Sequence, residues 1–491
     1  MRHHIRSLRD YLIELDELDE LQEIDHEVSW NLEIGAITRR AYELPAKAPL
    51  FKRISDSERG FRVLGAPVGL SPHRSRPCTR IALSLGLPAS TPATDIVEAW
   101  SRLPEEPRIP VRRVPTAPCK QNRRFGIDVD LTQVPAPILH VGDGGRYINT
   151  YGVFVAATPD GGSVNWSIAR TMLRDERTMM TAAAPGQHLA GLLDQWRKIG
   201  KDMPFALALG VAPAVAMVGG YPLADHIDER EALGGWFGEP IEVVACETND
   251  LEVPASCELV LEGTVSTEQT AEEGPMGEYA GYTKVREVGR SPIYTVDAMT
   301  FRDNPILPVV VAGVPAEENH TNWGIGVAAS IRHELRTAGL PVHRCFVPFA
   351  SAVHWGVVIV DDTWREHFET SRELAIAIGD VVFSCRAGRF IPKLIVVGAD
   401  IDPSNLDQVV WALATRHRPD EAILYPNRPT IPLVAYLSDS ERKAAASTKA
   451  VYNCLDDARG IDSGNLRVAA FADYPNELRA KIVRNWDAMG L

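Results

Sequence analysis

Apolar positions along the chain change their spacing twice. Near the N-terminus Leu8, Leu12, Leu15 and Leu18 recur at helical spacing through an acidic segment, and Ser7 with Asp10 reads as a helix start. A second helix is expected after Ser29, through Ile34, Ile37 and Tyr42. Residues 103–137 carry Pro104, Pro107, Pro110, Pro115 and Pro118 among arginines, which predicts an extended connector. From Tyr147 the pattern becomes strand-like. Residues 148–158 and 163–173, joined by the turn Pro159-Asp160-Gly161-Gly162, predict a hairpin. Further strands are expected at 205–210, 214–219, 241–248, 257–267, 293–302 and 306–312, dense enough for a β-rich, barrel-like central domain. One helix interrupts it after Pro185, with Leu189, Leu192, Leu193, Trp196 and Ile199 on one face. Beyond Glu317 helices and strands alternate, which predicts a separate α/β domain. Its helices carry Ile331 and Leu335, then residues 372–378, then Val409, Val410 and Leu413 behind an N-cap at Ser404; its strands span 354–360 and 394–397. A closing helix after Pro475 places Leu478, Ile482 and Trp486 on one face, to dock either on its own domain or on a second copy of the chain.

Composition narrows the class. The 491 residues allow two or three domains, and 45% hydrophobic with 24% charged residues is the make-up of a globular enzyme or binding protein. A net charge of −14, from 65 acidic and 51 basic residues, argues against a nucleic-acid binder, whose affinity rests on concentrated Lys and Arg. No secretory signal or membrane-length apolar run is present, so a cytoplasmic location is expected. Seven scattered cysteines without a closely spaced pair suit buried reduced thiols.

Several groups could carry chemistry. Glu272, Glu273 and Glu278 crowd a short Gly/Pro turn, which is either an acidic solvated loop or the source of a proton donor. Asn165 and Arg170 lie on the second strand of the predicted hairpin, but their odd spacing points them to opposite faces of a regular strand. They share a site only if a bulge intervenes or a ligand wraps the strand. Gln187 and His188 open the helix after Pro185, where free N–H groups favour phosphate. Asn165, His188 and Glu229 are types that a hard divalent cation accepts, although Glu229 alone reads as loop surface. His320 is either a base or a buttress for the helix that follows.

Taken in order, these segments resemble the UbiD family of reversible decarboxylases, with the fungal ferulic acid decarboxylases and bacterial heteroaromatic-acid decarboxylases among them. The matching text runs through Asp143 to Gly152, Thr158 to Gly161, Asn165 to Arg170, Gln187-His188 and Thr248 to Leu251, followed by Val253-Pro254. It continues through Glu262-Gly263-Thr264, Glu273 to Glu278, Glu318 to Thr321 and Trp411 to Arg416, and covers about residues 5 to 490.

The resemblance implies an α+β protein: an N-terminal α/β segment with the connector (1–115), a flavin reductase-like split β-barrel that binds prenylated FMN (116–315), and a C-terminal α/β oligomerisation domain with a terminal dimerisation helix (316–491). It further implies manganese at Asn165, His188 and Glu229, and a potassium ion with Arg416 near it and the phosphate. Cofactor contacts are implied for Asn165, Trp166, Ser167, Ile168, Ala169, Arg170, Gln187, His188 and Glu229, and for Arg386, which stands where fungal relatives have a lysine. The implied catalytic set is Arg170, Glu273 and Glu278, with Glu278 as proton donor, Arg170 orienting the substrate carboxylate and Glu273 holding Arg170. Tyr279, Asn319, Trp323, Arg428 and Thr430 fall at pocket positions; Asn319 would meet a ring heteroatom, and Arg428 either a second polar group or solvent. Expected partners are a small carboxylic acid, a flavin prenyltransferase and a second subunit, with neither nucleic acid nor membrane. Two other readings are a flavin reductase-like oxidoreductase, which does not need the catalytic set, and a non-catalytic flavin-binding protein, which would be expected to have lost one of its members.

Overall fold

The computed structural model describes residues 2–182, 187–283, 288–455 and 469–490. Helix Leu8–Glu17 starts where Ser7, in extended backbone, accepts the Asp10 N–H, and it buries Leu8, Tyr11, Leu12 and Leu15. The N-terminal sheet has the order Leu21–Ile24, Ala48–Phe51, Arg62–Gly65, Ile306–Val309. Its last strand overturns an expectation: residues 306–309 leave the central sheet and pair in parallel with Arg62–Gly65.

The centre is a nine-stranded sheet. Its path runs Tyr147–Asn149, Thr171–Leu173, Thr178–Thr181, Gly289–Phe301, Leu259–Glu273, Met203–Leu209, Val153–Ala157, Val164–Ser167, with Asn122–Phe125 added beside Gly289–Phe301. Register shifts between Glu262 and Gly263 and between Val265 and Thr270 bend the long hairpin at its heart, within a sheet curled into a half-barrel. Strand alternation divides two cores. Val153, Val155, Trp166, Ala206 and Ala208 face one, together with helices Pro213–Gly219 and Gly324–Thr337; Phe154, Phe205, Leu207, Leu261 and Tyr294 face the other.

Three expected strands fold otherwise, the first being 148–158, which breaks into Tyr147–Asn149 and Val153–Ala157 at different places in the sheet. Residues 214–219 lie in helix Pro213–Gly219, with Pro213 in its first turn and a wholly buried Ala/Val/Met run behind it. A buried apolar run this short has no period to tell helix from strand. Residues 163–173 split: Val164–Ser167 pairs with Val153–Ala157, whereas Thr171–Leu173 pairs with Tyr147–Asn149 and Thr178–Thr181. The proline-rich connector is built in as well. Arg112–Val114 pairs with Glu242–Ala245, and the Pro107 carbonyl lies where a side chain on Gly235 would sit, 1.8 Å from a Cβ built there.

The C-terminal sheet has the order Val342–Phe346, Trp355–Val360, Lys393–Val397, Ala446–Asn453, Ile423–Pro429. Helix Leu406–Arg416 is capped by Asn405, one residue after the expected Ser404, because the Asn405 side chain accepts the Gln408 N–H. The last helix, Asn476–Asn485, buries none of its residues; Leu478 is 42% and Trp486 48% exposed. All seven cysteines are free thiols, five of them buried. Among the described residues no helix is long and apolar enough to cross a membrane.

Candidate active site

The break in the 163–173 segment builds the site. Between the two strands, Ile168, Ala169 and Arg170 leave the ladder, so the parity that would separate Asn165 from Arg170 no longer applies. Buried Asn149 holds this bend: its amide donates to the Ala169 carbonyl at 2.7 Å and its Oδ1 accepts the Gly152 N–H at 2.6 Å. Arg170 then reaches the far end of strand Leu259–Glu273. Its Nε and Nη2 donate to the two Glu273 oxygens, each at 3.0 Å, and its Nη1 donates to Glu278. Tyr147 adds a hydroxyl to Glu273 Oε1 at 3.1 Å. Burial disfavours the Arg170 charge, but Glu278 and Glu273 outweigh it and raise its pKa, so the guanidinium stays cationic. Glu273 and Glu278 thus face a cation instead of each other, while Glu272 is exposed.

The turn from Gly274 to Gly277 rests on the segment that begins at Asp143. The Gly144 N–H donates to the Pro275 carbonyl at 2.8 Å, and Asp143 Oδ1 accepts the Gly277 N–H at 3.3 Å. A Cβ on Gly144 would lie 2.0 Å from the Gly274 carbonyl oxygen. Only glycine admits that approach.

A second group forms on Val164–Ser167. Asn165 Nδ2 lies 2.9 Å from both His188 Nδ1 and Glu229 Oε1, and Glu229 Oε2 accepts the Trp166 N–H at 3.2 Å. Glu229 is not loop surface: it is 3% exposed, in the first turn of helix Glu229–Phe237, which Asp228 caps. His188 opens helix His188–Lys198, with Gln187 as its N-cap residue. Among the described residues no three His, Cys, Asp or Glu side chains form a metal cluster; this group has two such ligands and an amide. The polar atoms nevertheless fit a cation. Among the described residues Asn165 Oδ1 is buried without a partner, as is Ser167 Oγ two residues on, on the same face of the strand. Turning the Asn165 amide over would direct its oxygen to where its NH₂ now bridges His188 and Glu229, a set of O, N and O donors suited to a divalent ion. Arg386 comes to the same place: its Nη1 contacts His188 Nε2 and lies 2.6 Å from Asp225 Oδ1. Trp166 and Ala169 are buried and Ile168 packs against the core.

The pocket positions separate. Tyr279 and Trp323 meet edge to face with ring centroids 5.2 Å apart, and Trp323 meets Phe390 at 4.6 Å. His354 lies 6.0 Å from Tyr279 and 6.3 Å from Tyr436. These aromatic partners, Phe390, His354 and Tyr436, were missed in sequence because nothing local links them to Tyr279. Asn319 donates its backbone N–H and side-chain NH₂ to Glu317, at 2.8 to 3.1 Å. His320 is a buttress, not a base. Its Nδ1 accepts the Glu317 N–H at 3.0 Å and its Nε2 reaches the Tyr279 carbonyl at 2.9 Å, next to Glu278. Burial pushes His320 down to about 4 and Glu317 up to about 8, so their 3.3 Å approach is a contact of neutral groups near neutrality, not an ion pair. Thr430 is buried, with its hydroxyl 3.4 Å from the Arg389 carbonyl, and Arg428 lies over the Tyr425 ring. Arg416 pairs with Asp400 at 2.5 Å and lies over the Trp411 ring.

Comparison with known proteins follows the same segments. Models of the 3-octaprenyl-4-hydroxybenzoate carboxy-lyase N-terminal, Rift-related and C-terminal domains match residues 12–100, 112–315 and 320–454. The chain is 41% identical to the pyrrole-2-carboxylic acid decarboxylase of Pseudomonas aeruginosa, over 100% of this chain and 99% of that one. It is 37% identical to ferulic acid decarboxylase 1 of Saccharomyces cerevisiae, over 99% and 98%. Among solved structures, the vanillic acid decarboxylase of Sedimentibacter hydroxybenzoicus in closed form superposes with a TM-score of 0.84 at 23% identity, covering 99% of both chains. A UbiD-class enzyme of Pelotomaculum thermopropionicum in complex with prFMN gives 0.78 at 24% identity, covering 95% of this chain and 97% of that one.

Proposed function

Because the chain belongs to the UbiD family of carboxy-lyases, we propose that it decarboxylates an aromatic, heteroaromatic or α,β-unsaturated carboxylic acid with prenylated FMN, Glu278 returning the proton. The observation that carries this reading is Arg170 bonded to Glu273 and Glu278 together. A flavin reductase needs no such set, and a binding protein has no use for a strand that breaks to deliver it.

Prenylated FMN, when bound, supplies the sink for the electrons that departing carbon dioxide leaves behind. The chain supplies placement and a proton. Asn165, His188 and Glu229 would hold a manganese ion against the cofactor phosphate, with the N-terminus of helix His188–Lys198 and Arg386 alongside. A potassium ion, with Arg416 near it, belongs to the same reading. Glu273, locked by Arg170 and Tyr147, fixes the guanidinium plane, so one Arg170 nitrogen is left to exchange between Glu278 and the substrate carboxylate. With that nitrogen turned to the substrate, Glu278 takes up a proton from solvent and delivers it to the carbon that lost the carboxylate. Run backwards, the same transfer is a carboxylation. Around the half-barrel we place a flavin reductase-like split barrel as the cofactor domain, at 116–315 between the N-terminal and C-terminal units. The flavin prenyltransferase of the cell would load the cofactor in the cytoplasm.

The aromatic wall of Tyr279, Trp323 and Phe390 suits a flat ring, as in the pyrrole and ferulic acids on which the named relatives act. Carbon dioxide release from pyrrole, furan, indole, phenazine, cinnamic and polyenoic acids tests the reading, using chain reconstituted with prenylated FMN and Mn²⁺. Turnover with prenylated FMN and none with FMN is expected; equal turnover with plain FMN would overturn the cofactor assignment.

A further inference from the structure

Asp225 lies in the loop between helices Pro213–Gly219 and Glu229–Phe237, and no local pattern singles it out. Its Oδ1 is 2.7 Å from His188 Nε2 and 2.6 Å from Arg386 Nη1, although the side chain is 85% exposed. A carboxylate oxygen at these distances can only accept, so Nε2 carries the imidazole hydrogen and donates it. Nδ1 is then left with its lone pair, directed at the Asn165 amide 2.9 Å away and toward Glu229 Oε1 at 3.6 Å. The other tautomer fails on the same geometry. A hydrogen on Nδ1 would face the Asn165 NH₂, and turning that amide over to accept it would set Asn165 Oδ1 against the Glu229 carboxylate oxygen. Arg386 Nη1 also crowds Nε2, and the conflict resolves only with both nitrogens donating to the one Asp225 oxygen.

We propose that Asp225 is a positioning residue for the cation site: it fixes His188 in the tautomer whose Nδ1 can bind a metal, and it ties Arg386 to the rim of that site. This rests on reading Asn165, His188 and Glu229 as cation ligands. Among the described residues this exposed carboxylate contacts His188 and Arg386 and contributes little to the core, so its replacement leaves the fold intact.

The test is Mn²⁺ affinity of the full-length chain in the presence of FMN, followed by the loss of the free-Mn²⁺ electron paramagnetic resonance signal. Asp225→Ala should weaken binding by about 10- to 100-fold, the usual effect of removing a carboxylate behind a ligating histidine. Asp225→Asn, which still accepts from Nε2 but without charge, should fall between, and Asp225→Glu should restore most of the affinity. Unchanged affinity in Asp225→Ala, with Glu229→Gln losing the metal, would overturn the role of Asp225 and leave the cation site standing. If wild type binds no Mn²⁺, the site and the inference on it both fall.

Discussion

Arg170 serves two carboxylates because a guanidinium is a planar fork: one edge takes both Glu273 oxygens and the remaining nitrogen takes Glu278. A lysine keeps the charge but offers a single point. Arg170→Lys should therefore lower kcat/KM by about 10²- to 10³-fold, the range for losing one preorganised donor, with bound flavin unchanged by its absorption spectrum. Glu317 makes a pH prediction. Its pKa is raised from 4.5 to about 8 in the fold, so between these values the folded chain holds a proton that the unfolded chain has released. Stability from this group is complete below pH 4.5 and is lost as pH rises to 8, at about 1.4 kcal/mol per unit. His320 works in the opposite sense. Its pKa is lowered from 6.5 to about 4, so its contribution is complete above 6.5 and lost as pH falls toward 4. The two slopes oppose each other between 4.5 and 6.5, and from about 7 upward Lys449, which burial lowers to about 7, opposes Glu317 in turn. Urea melts from pH 6.5 to 8 should show wild type losing stability relative to Glu317→Gln as pH rises; parallel curves would remove the protonated Glu317. At this scale the sequence was informative where a motif existed. Arg170, Glu273 and Glu278 are brought together as expected. Glu229 by itself reads as loop surface, and Asp225 is not legible at all, because both owe their contacts to partners 37 or more residues away.

The element that matters most is a strand that stops. Period-two patterning predicted one continuous strand over 163–173, and polar alternation cannot show where a ladder changes partners. The structure divides it at Ile168, so Asn165 stays in a strand, Arg170 lies in the gap, and their odd spacing no longer fixes opposite faces. Helices with a clear apolar stripe, such as Leu8–Glu17 and His188–Lys198, were legible; the buried run of Pro213–Gly219 was not, since every face of it is covered. The acidic turn depends on its seat. Gly144→Ala drives a methyl group into the Gly274 carbonyl and should destabilise the chain by about 1–3 kcal/mol, as overpacking does. It should also slow turnover, because the displaced turn carries Glu278. A urea midpoint equal to wild type would show that the turn yields without cost.

For the whole molecule, chain order and spatial order differ: Ile306–Val309 closes the N-terminal sheet, and the proline-rich connector contributes strands to two others. Local spacing could not reveal such long-range pairing. The closing helix Asn476–Asn485 leaves Leu478, Val483 and Trp486 in solvent, which suits a second copy as its cover. We propose that cover: light scattering should give a dimer that Trp486→Glu reduces to monomer, and an unchanged mass would remove the helix from the interface. The central claim, that this chain is a decarboxylase whose proton comes from Glu278, is tested most directly by turnover in heavy water with prenylated FMN bound. Wild type should place one deuterium on the carbon that carried the carboxylate. Glu278→Gln, with flavin and manganese content unchanged, should form that product at least about 10²-fold more slowly, and wild-type rates of labelled product from Glu278→Gln would contradict the account.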